Sequence, residues 1–150
     1  MAGAMVLLAR DIMDPHVLTV RSTENALACA RTLASERKGY AVVLRPDGAV
    51  VGIVTEWDFL EKVLAAGKDP SQVGVGDIAS PILQSCTPET PAEDVVQTMA
   101  SAGIRRMPVR AGDRVVGMIT SRDVLAMFRQ YVDKLSSQIA GYHSDPNPMG

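Results

Sequence analysis

The sequence predicts a mixed α/β (α+β) fold built from two β-α-β-β-α repeats packed through their sheets. Three observations in this chain of 150 residues predict it. The first is a long self-match: VVGIVTEWDFL at 50–60 returns as VVGMITSRDVL at 115–125, DIMDP at 11–15 as DIASP at 77–81, and ACARTLASERKGYAVV at 28–43 overlies DVVQTMASAGIRRMPV at 94–109. The offset is 66 residues up to the first hairpin and 65 from Val50 onward, so the second copy is one residue shorter in a connecting loop. The second is a period of hydrophobicity that changes in the same order in both copies. The third is the placing of Gly, Pro and Asp between the periodic runs. Copies of about 60 residues fall short of the ~100 or more of a typical domain, so neither is expected to fold alone.

Each element has its own reason. Val17–Val20 reads as a short extended piece, and Ala26, Leu27, Ala30, Leu33 and Ala34 recur at helical spacing. In the second copy Thr90-Pro91-Ala92-Glu93 reads as a capping box with proline at the first helical position. Two β-rich runs, Ala41–Leu44 and Val50–Val54, flank RPDGA, a turn signal. A second helix is expected from Thr55, burying Phe59, Leu60, Val63 and Leu64, and AAGKDPSQVG (65–74) ends it and links the copies. The repeats therefore span 9–66 and 75–130, and 131–150 forms an extension. There Val124, Leu125, Phe128, Tyr131, Val132, Leu135 and Ile139 recur at three and four, which carries the last helix to about Ala140. Past Gln130 this stripe has no counterpart in the first copy, so it folds back or covers a partner. GYHSDPNPMG (141–150) holds little but Gly, Pro and polar residues and is expected to be disordered.

Composition narrows the function. With 47% hydrophobic and 21% charged residues the chain is an ordinary globular one. A net charge of −2 with dispersed basic residues disfavours a nucleic-acid or anionic-membrane surface. The apolar stretch Met1–Ala9 is too short to span a bilayer, and a cytoplasmic protein is the default expectation. Cys29 and Cys86 sit in apolar-periodic surroundings and read as buried thiols, not a disulfide. His16 and His143 stand apart from other ligand-type residues, so no metal site is expected, and no nucleophile–base arrangement or paired carboxylates suggest an enzyme.

The polar residues that recur are Thr55-Glu56-Trp57-Asp58 and Thr120-Ser121-Arg122-Asp123, where a strand hands over to a helix. Helix capping explains Thr at the cap and Asp three residues on. A binding reading adds that a helix N-terminus suits phosphate oxygens, and that a carboxylate accepts hydrogen bonds from two vicinal hydroxyls, as on ribose. Gly52 and Gly117 precede the two motifs and leave room for a ligand to approach the backbone. Arg105 and Arg106, in IRRMP, are either two solvated side chains at a strand entry or a phosphate grip.

The order of elements, the GhhTxxD run closing each β segment and IRRMPV before the second hairpin resemble the cystathionine β-synthase (CBS) domain, a tandem pair of which is called a Bateman module. The resemblance covers about Ala9 to Gln130. It implies a regulatory, non-catalytic module that binds AMP, ADP, ATP or S-adenosylmethionine in clefts at the seam and signals to a regulated protein, commonly as a homodimer. It implies that Asp58 and Asp123 bind ribose and that Thr55 and Thr120 lie beside phosphates. Ser121, Arg122, Arg105, Arg106, Met107, Pro108 and Cys86 are then expected in one site, with the Pro108 carbonyl toward the cleft. Thr19, Val20, Gly39, Tyr40 and Ala41 are expected in the other. The first copy departs from the pattern: Gly39, Tyr40 and Val42 stand where the second has Arg105, Arg106 and Pro108, and Trp57 replaces Arg122. Trp57 is expected to pack or, less often, to stack on an adenine. Unequal clefts follow, with the Asp123 cleft expected to hold a phosphorylated nucleotide more tightly than the Asp58 cleft. The alternative is a ligand-free interaction module of the same fold.

Overall fold

A computed structural model describes residues 6–143, with side chains through Gly141. The first copy runs α1 (Ala9–Ile12), β1 (Thr19–Arg21), α2 (Ala26–Glu36), β2 (Tyr40–Leu44), β3 (Val50–Thr55) and α3 (Glu56–Phe59), which continues as a π-helical turn, Leu60–Leu64. The second runs α4 (Val75–Ile78), α5 (Ala92–Ala102), β4 (Arg106–Ala111), β5 (Arg114–Thr120) and α6 (Ser121–His143). The expected disorder at 144–150 lies outside the described residues, whereas Gly141–His143, assigned above to that tail, are helical.

In the first copy β1 runs parallel to β2, which pairs antiparallel with β3. In the second only β4 and β5 form a sheet, and the counterpart of β1 shrinks to one parallel bridge, Cys86 to Val109. Proline explains the loss. Val42 N–H donates to Leu18 and Ser22 N–H to Leu44 at the two ends of the β1–β2 ladder. The matching positions are Pro108 and Pro88, neither of which has an N–H to give. The Pro108 carbonyl, expected to face the cleft, instead accepts from Cys86 N–H at 3.0 Å.

Each copy has its own core, and the leading segments cross over. Val75 and Ile78 of α4 are buried with Val20, Cys29, Val43 and Val54 of the first copy, whereas Ala9 of α1 is buried with Val95, Met107 and Ile119 of the second. A third cluster joins the sheets face to face: Tyr40 and Val42 on one, Met118 on the other. Both cysteines are free, and burial pushes the Cys29 thiol up to about 11.

Local expectations fail at three points. The helix after Thr55 buries Val63, but Leu60 and Leu64 remain 49% and 69% exposed, because the i→i+5 bond from Ala65 N–H to Leu60 O widens the turn away from 3.6 periodicity. Trp57 does not pack and is 63% exposed. The capping box at Thr90 does not form: its hydroxyl accepts from Thr87 N–H, Pro91 takes the cap position, and Ala92 N–H goes to Leu7 of the crossed-over segment.

Candidate functional site: the seam cleft at Asp123

Both TxxD motifs make the same cap. Asp58 Oδ2 accepts from Thr55 N–H at 2.8 Å and from the Thr55 hydroxyl at 3.2 Å. Asp123 Oδ2 accepts from Thr120 N–H at 2.8 Å and from its hydroxyl at 3.0 Å. One carboxylate oxygen per motif is thus committed to architecture, and the other decides what the motif can bind.

Those second oxygens differ. Asp58 Oδ1 is held by Lys62 Nζ at 2.9 Å and by the Ser80 hydroxyl at 3.1 Å, and Lys62 also donates to Ile78 O at 2.9 Å. Asp58 is 4% exposed, sealed under the crossed-over α4 segment. In the second copy Met127 stands where the first has Lys62, and Asp14 where it has Ser80. Asp123 is half-buried, and its Oδ1 accepts no hydrogen bond among the described residues.

Asp123 opens onto a cleft of about 550 Å³ on the seam, lined by Thr120–Asp123, Arg105, Arg106, Asp14, Glu56 and the run Arg37–Tyr40. Five basic side chains stand there against three acidic ones, a surplus of two positive charges. The backbone builds it symmetrically: Ser121 N–H donates to Arg105 O at 2.9 Å and, in the first copy, Glu56 N–H to Gly39 O at 3.1 Å. The Arg106 guanidinium lies 5.6 Å from the centroid of the Tyr40 ring, a cation–π contact between equivalent positions of the two copies. A Cβ on Gly39 would come up against the ends of the Glu56 and Arg106 side chains, so glycine leaves room for both at the seam.

Charge pairing tunes one corner. Lys38 Nζ lies 3.0 Å from Asp14 Oδ2, and Asp14 Oδ1 accepts from His16 N–H at 2.9 Å. Chiefly the His16 hydrogen bond, then Lys38, holds the Asp14 carboxyl below its ordinary value, and the bond to Asp14 raises Lys38. Arg37 has φ 53°, in the left-handed region, where the second copy uses Gly103. A side chain there costs on the order of 1 kcal/mol and sets a cation on the cleft.

Of the sequence-derived candidates, Thr120, Ser121, Arg122, Asp123, Arg105, Arg106, Gly39 and Tyr40 meet in this cleft. The others do not. Met107, Pro108 and Ala41 are buried in strands, and Cys86 packs on the second core. Thr19 and Val20 line a separate depression of about 570 Å³ with Arg21 and Arg45, and Thr55 and Asp58 are closed off by Lys62 and Ser80. Gly52 and Gly117 admit protein, not ligand: a Cβ on Gly52 would strike Ser80 O and one on Gly117 the Met13 side chain. Asp14, Lys38 and Glu56 were not singled out as site residues. The recurrence of DIMDP as DIASP pointed to the first, and the Asp58–Lys62 spacing of four pointed to the closed site.

The CBS domain profile matches residues 9–65 and 75–129, and the chain belongs to the CBS domain family, as a tandem pair. It is similar to CBS domain-containing protein YhcV of Bacillus subtilis, at 28% identity over 132 residues, covering 88% of this chain and 89% of that one. Its fold matches the crystal structure of the CBS domain pair of protein MJ0100 in complex with 5′-methylthioadenosine and S-adenosyl-L-methionine, with TM-score 0.74, 26% identity and coverage of 85% and 99%. It also matches a hexameric CBS-CP12 protein from bloom-forming cyanobacteria, with TM-score 0.70, 31% identity and coverage of 80% and 70%. No helix among the described residues is long and apolar enough to cross a membrane.

Proposed function

We propose that this chain is a cytoplasmic regulatory module, not an enzyme, that binds one adenosyl-bearing small molecule in the Asp123 cleft and reports its presence to a partner protein. The observation that carries the reading is the uncommitted Oδ1 of Asp123 beside a basic cleft. A carboxylate oxygen so placed accepts from a ribose hydroxyl, while the N-terminus of α6 and Arg105, Arg106 and Arg122 suit phosphate. The surplus of positive charge favours AMP, ADP or ATP over S-adenosylmethionine, whose sulfonium would add to it. The likeness to MJ0100 supports the adenosyl part of the reading.

Signalling follows from the seam. Arg106 and Tyr40 belong to different copies, so a phosphate that draws Arg106 toward itself favours one relative placement of the copies over another, and a partner senses which. The module is read as a homodimer, in keeping with its exposed apolar helix faces. Those faces are also what the ligand-free interaction module would use.

Thermal melting and calorimetry with AMP, ATP, S-adenosylmethionine and 5′-methylthioadenosine test the reading. A native-state ligand raises Tm, and one site per chain that is lost in Asp123→Ala is the expected result. No shift with any of the four overturns the ligand reading in favour of the interaction module.

A further inference from the structure

Helices α2 and α5 end with the same backbone and with different residues. Arg37 N–H donates to Leu33 O and Ala34 O, and Lys38 N–H to Leu33 O at 3.0 Å. In the second copy Gly103 N–H donates to Met99 O and Ala100 O, and Ile104 N–H to Met99 O at 3.1 Å. Both turns need a left-handed residue, at φ 53° and ψ 42° in one and φ 66° and ψ 33° in the other. Glycine takes up that conformation freely, whereas the Cβ of arginine crowds the backbone there. Arg37 is the one non-glycine residue at positive φ among the described residues.

The fold gives no reason for this arginine. Its side chain is exposed and makes no hydrogen bond, ion pair or ring contact with any described residue. A cation is favoured at a helix C-terminus, but α5 ends on the same turn with no basic residue in its last turn or at its cap. The contrast follows the two aspartates instead. Arg37 lines the cleft onto which Asp123 opens. Gly103 corresponds to Arg37 as Asp58 corresponds to Asp123, and Asp58 is sealed by Lys62 and Ser80. The strained arginine stands only where the carboxylate is open.

We infer that Arg37 is a ligand-contacting residue of the Asp123 cleft, whose guanidinium takes a phosphate oxygen of the bound nucleotide from the first copy's side of the seam. Backbone strain persists where a site uses it, and a planar guanidinium matches phosphate with two parallel hydrogen bonds. The other cation that the first copy brings to the cleft, Lys38, is engaged by Asp14. The ribose on Asp123 and the phosphate on Arg37 then join the two copies through one ligand. This inference rests on the nucleotide reading of the cleft and adds to it a contact from across the seam.

Calorimetry with AMP, ATP and 5′-methylthioadenosine, alongside urea unfolding, tests it on the full chain, Arg37→Gly and Arg37→Asn. Both replacements accept the left-handed conformation and neither carries a charge. Affinity for AMP, ATP or both is expected to fall at least about fivefold in each variant, with 5′-methylthioadenosine within about twofold. The urea midpoint of Arg37→Gly is expected to rise by roughly 0.3 M as the strain is relieved. A variant that folds more stably and binds more weakly marks a residue held for its ligand. A midpoint at or below that of the wild type makes Arg37 an ordinary helix end and overturns the inference. Nucleotide affinities that stay within about twofold, or an equal loss for all three ligands, overturn the phosphate contact. A wild type that binds none of the three overturns the nucleotide reading itself. Binding that survives both variants but is lost in Asp123→Ala overturns the role of Arg37 alone.

Discussion

Asp58 and Asp123 occupy equivalent positions, cap equivalent helices with the same bonds to equivalent threonines, and end with opposite fates. Asp58 is sealed, its second oxygen shared by an ammonium and a hydroxyl. The second oxygen of Asp123 accepts no hydrogen bond among the described residues and lies on the cleft. Two substitutions separate them: Lys62 becomes Met127, and Ser80 stands where the other copy has Asp14. A duplicated capping motif therefore does not give two equally open carboxylates. One copy has turned its carboxylate inward as a stabilising element, and the other has left it facing a cleft.

The comparison can be broken most sharply at Lys62. Lys62→Met gives the first copy the residue of the second and leaves a nearly buried carboxylate without its cation. Hydrogen bonds to charged groups contribute about 1.5–3 kcal/mol, so unfolding by urea should show a loss of about 2 kcal/mol. An unchanged midpoint would mean that Ser80 alone satisfies Asp58. The reverse experiment, Met127→Lys, is expected to place an ammonium beside Asp123 and to lower AMP affinity about tenfold, read by calorimetry.

Arg106→Gln sharpens the ligand side of the comparison. Losing one guanidinium–phosphate contact is expected to weaken AMP about tenfold while leaving 5′-methylthioadenosine, which has no phosphate, within about twofold. An equal loss for both would assign Arg106 to the seam and not to phosphate.

The smallest effect concerns Asp14 and Lys38. Asp14 titrates below 3.8 in the folded chain, so its contribution is present above that value and is lost as the pH falls through the depressed pKa. Lys38 titrates above 10.5, so its contribution is full below that value and is lost as the pH rises through the raised pKa. Between about pH 5 and 9 the pair is constant. Both side chains are about one-third exposed, so Asp14→Asn is expected to cost under about 1 kcal/mol at pH 7 and less at about pH 3. Denaturation curves at the two pH values check the sign.

Much of this was legible in the chain. The self-match and the shift of period located both copies, and GhhTxxD located both caps, because capping is a contact between residues three apart. The absence of a cation at Gly39–Val42 was the ground for expecting unequal clefts. That ground was incomplete, since Lys38 brings a first-copy cation to the cleft of Asp123 and Lys62 closes over Asp58. Leu60 and Leu64 were misplaced because a π turn breaks the period on which the expectation rested. Trp57 was misplaced because nothing among the described residues packs over that rim.

The sequence by itself determined the duplication, the order of strands and helices, the two TxxD caps and the apolar stripe of α6. All of these are written in local spacing, since 3.6- and 2-residue periods and four-residue caps need no distant partner. Only the tertiary structure decided which aspartate is available. Ser80 reaches Asp58 from 22 positions away and Lys38 reaches Asp14 from 24, through leading segments that cross to the opposite copy. Whether a buried carboxylate meets a cation or a cleft depends on those crossings, and no local pattern encodes where a crossing segment comes to rest.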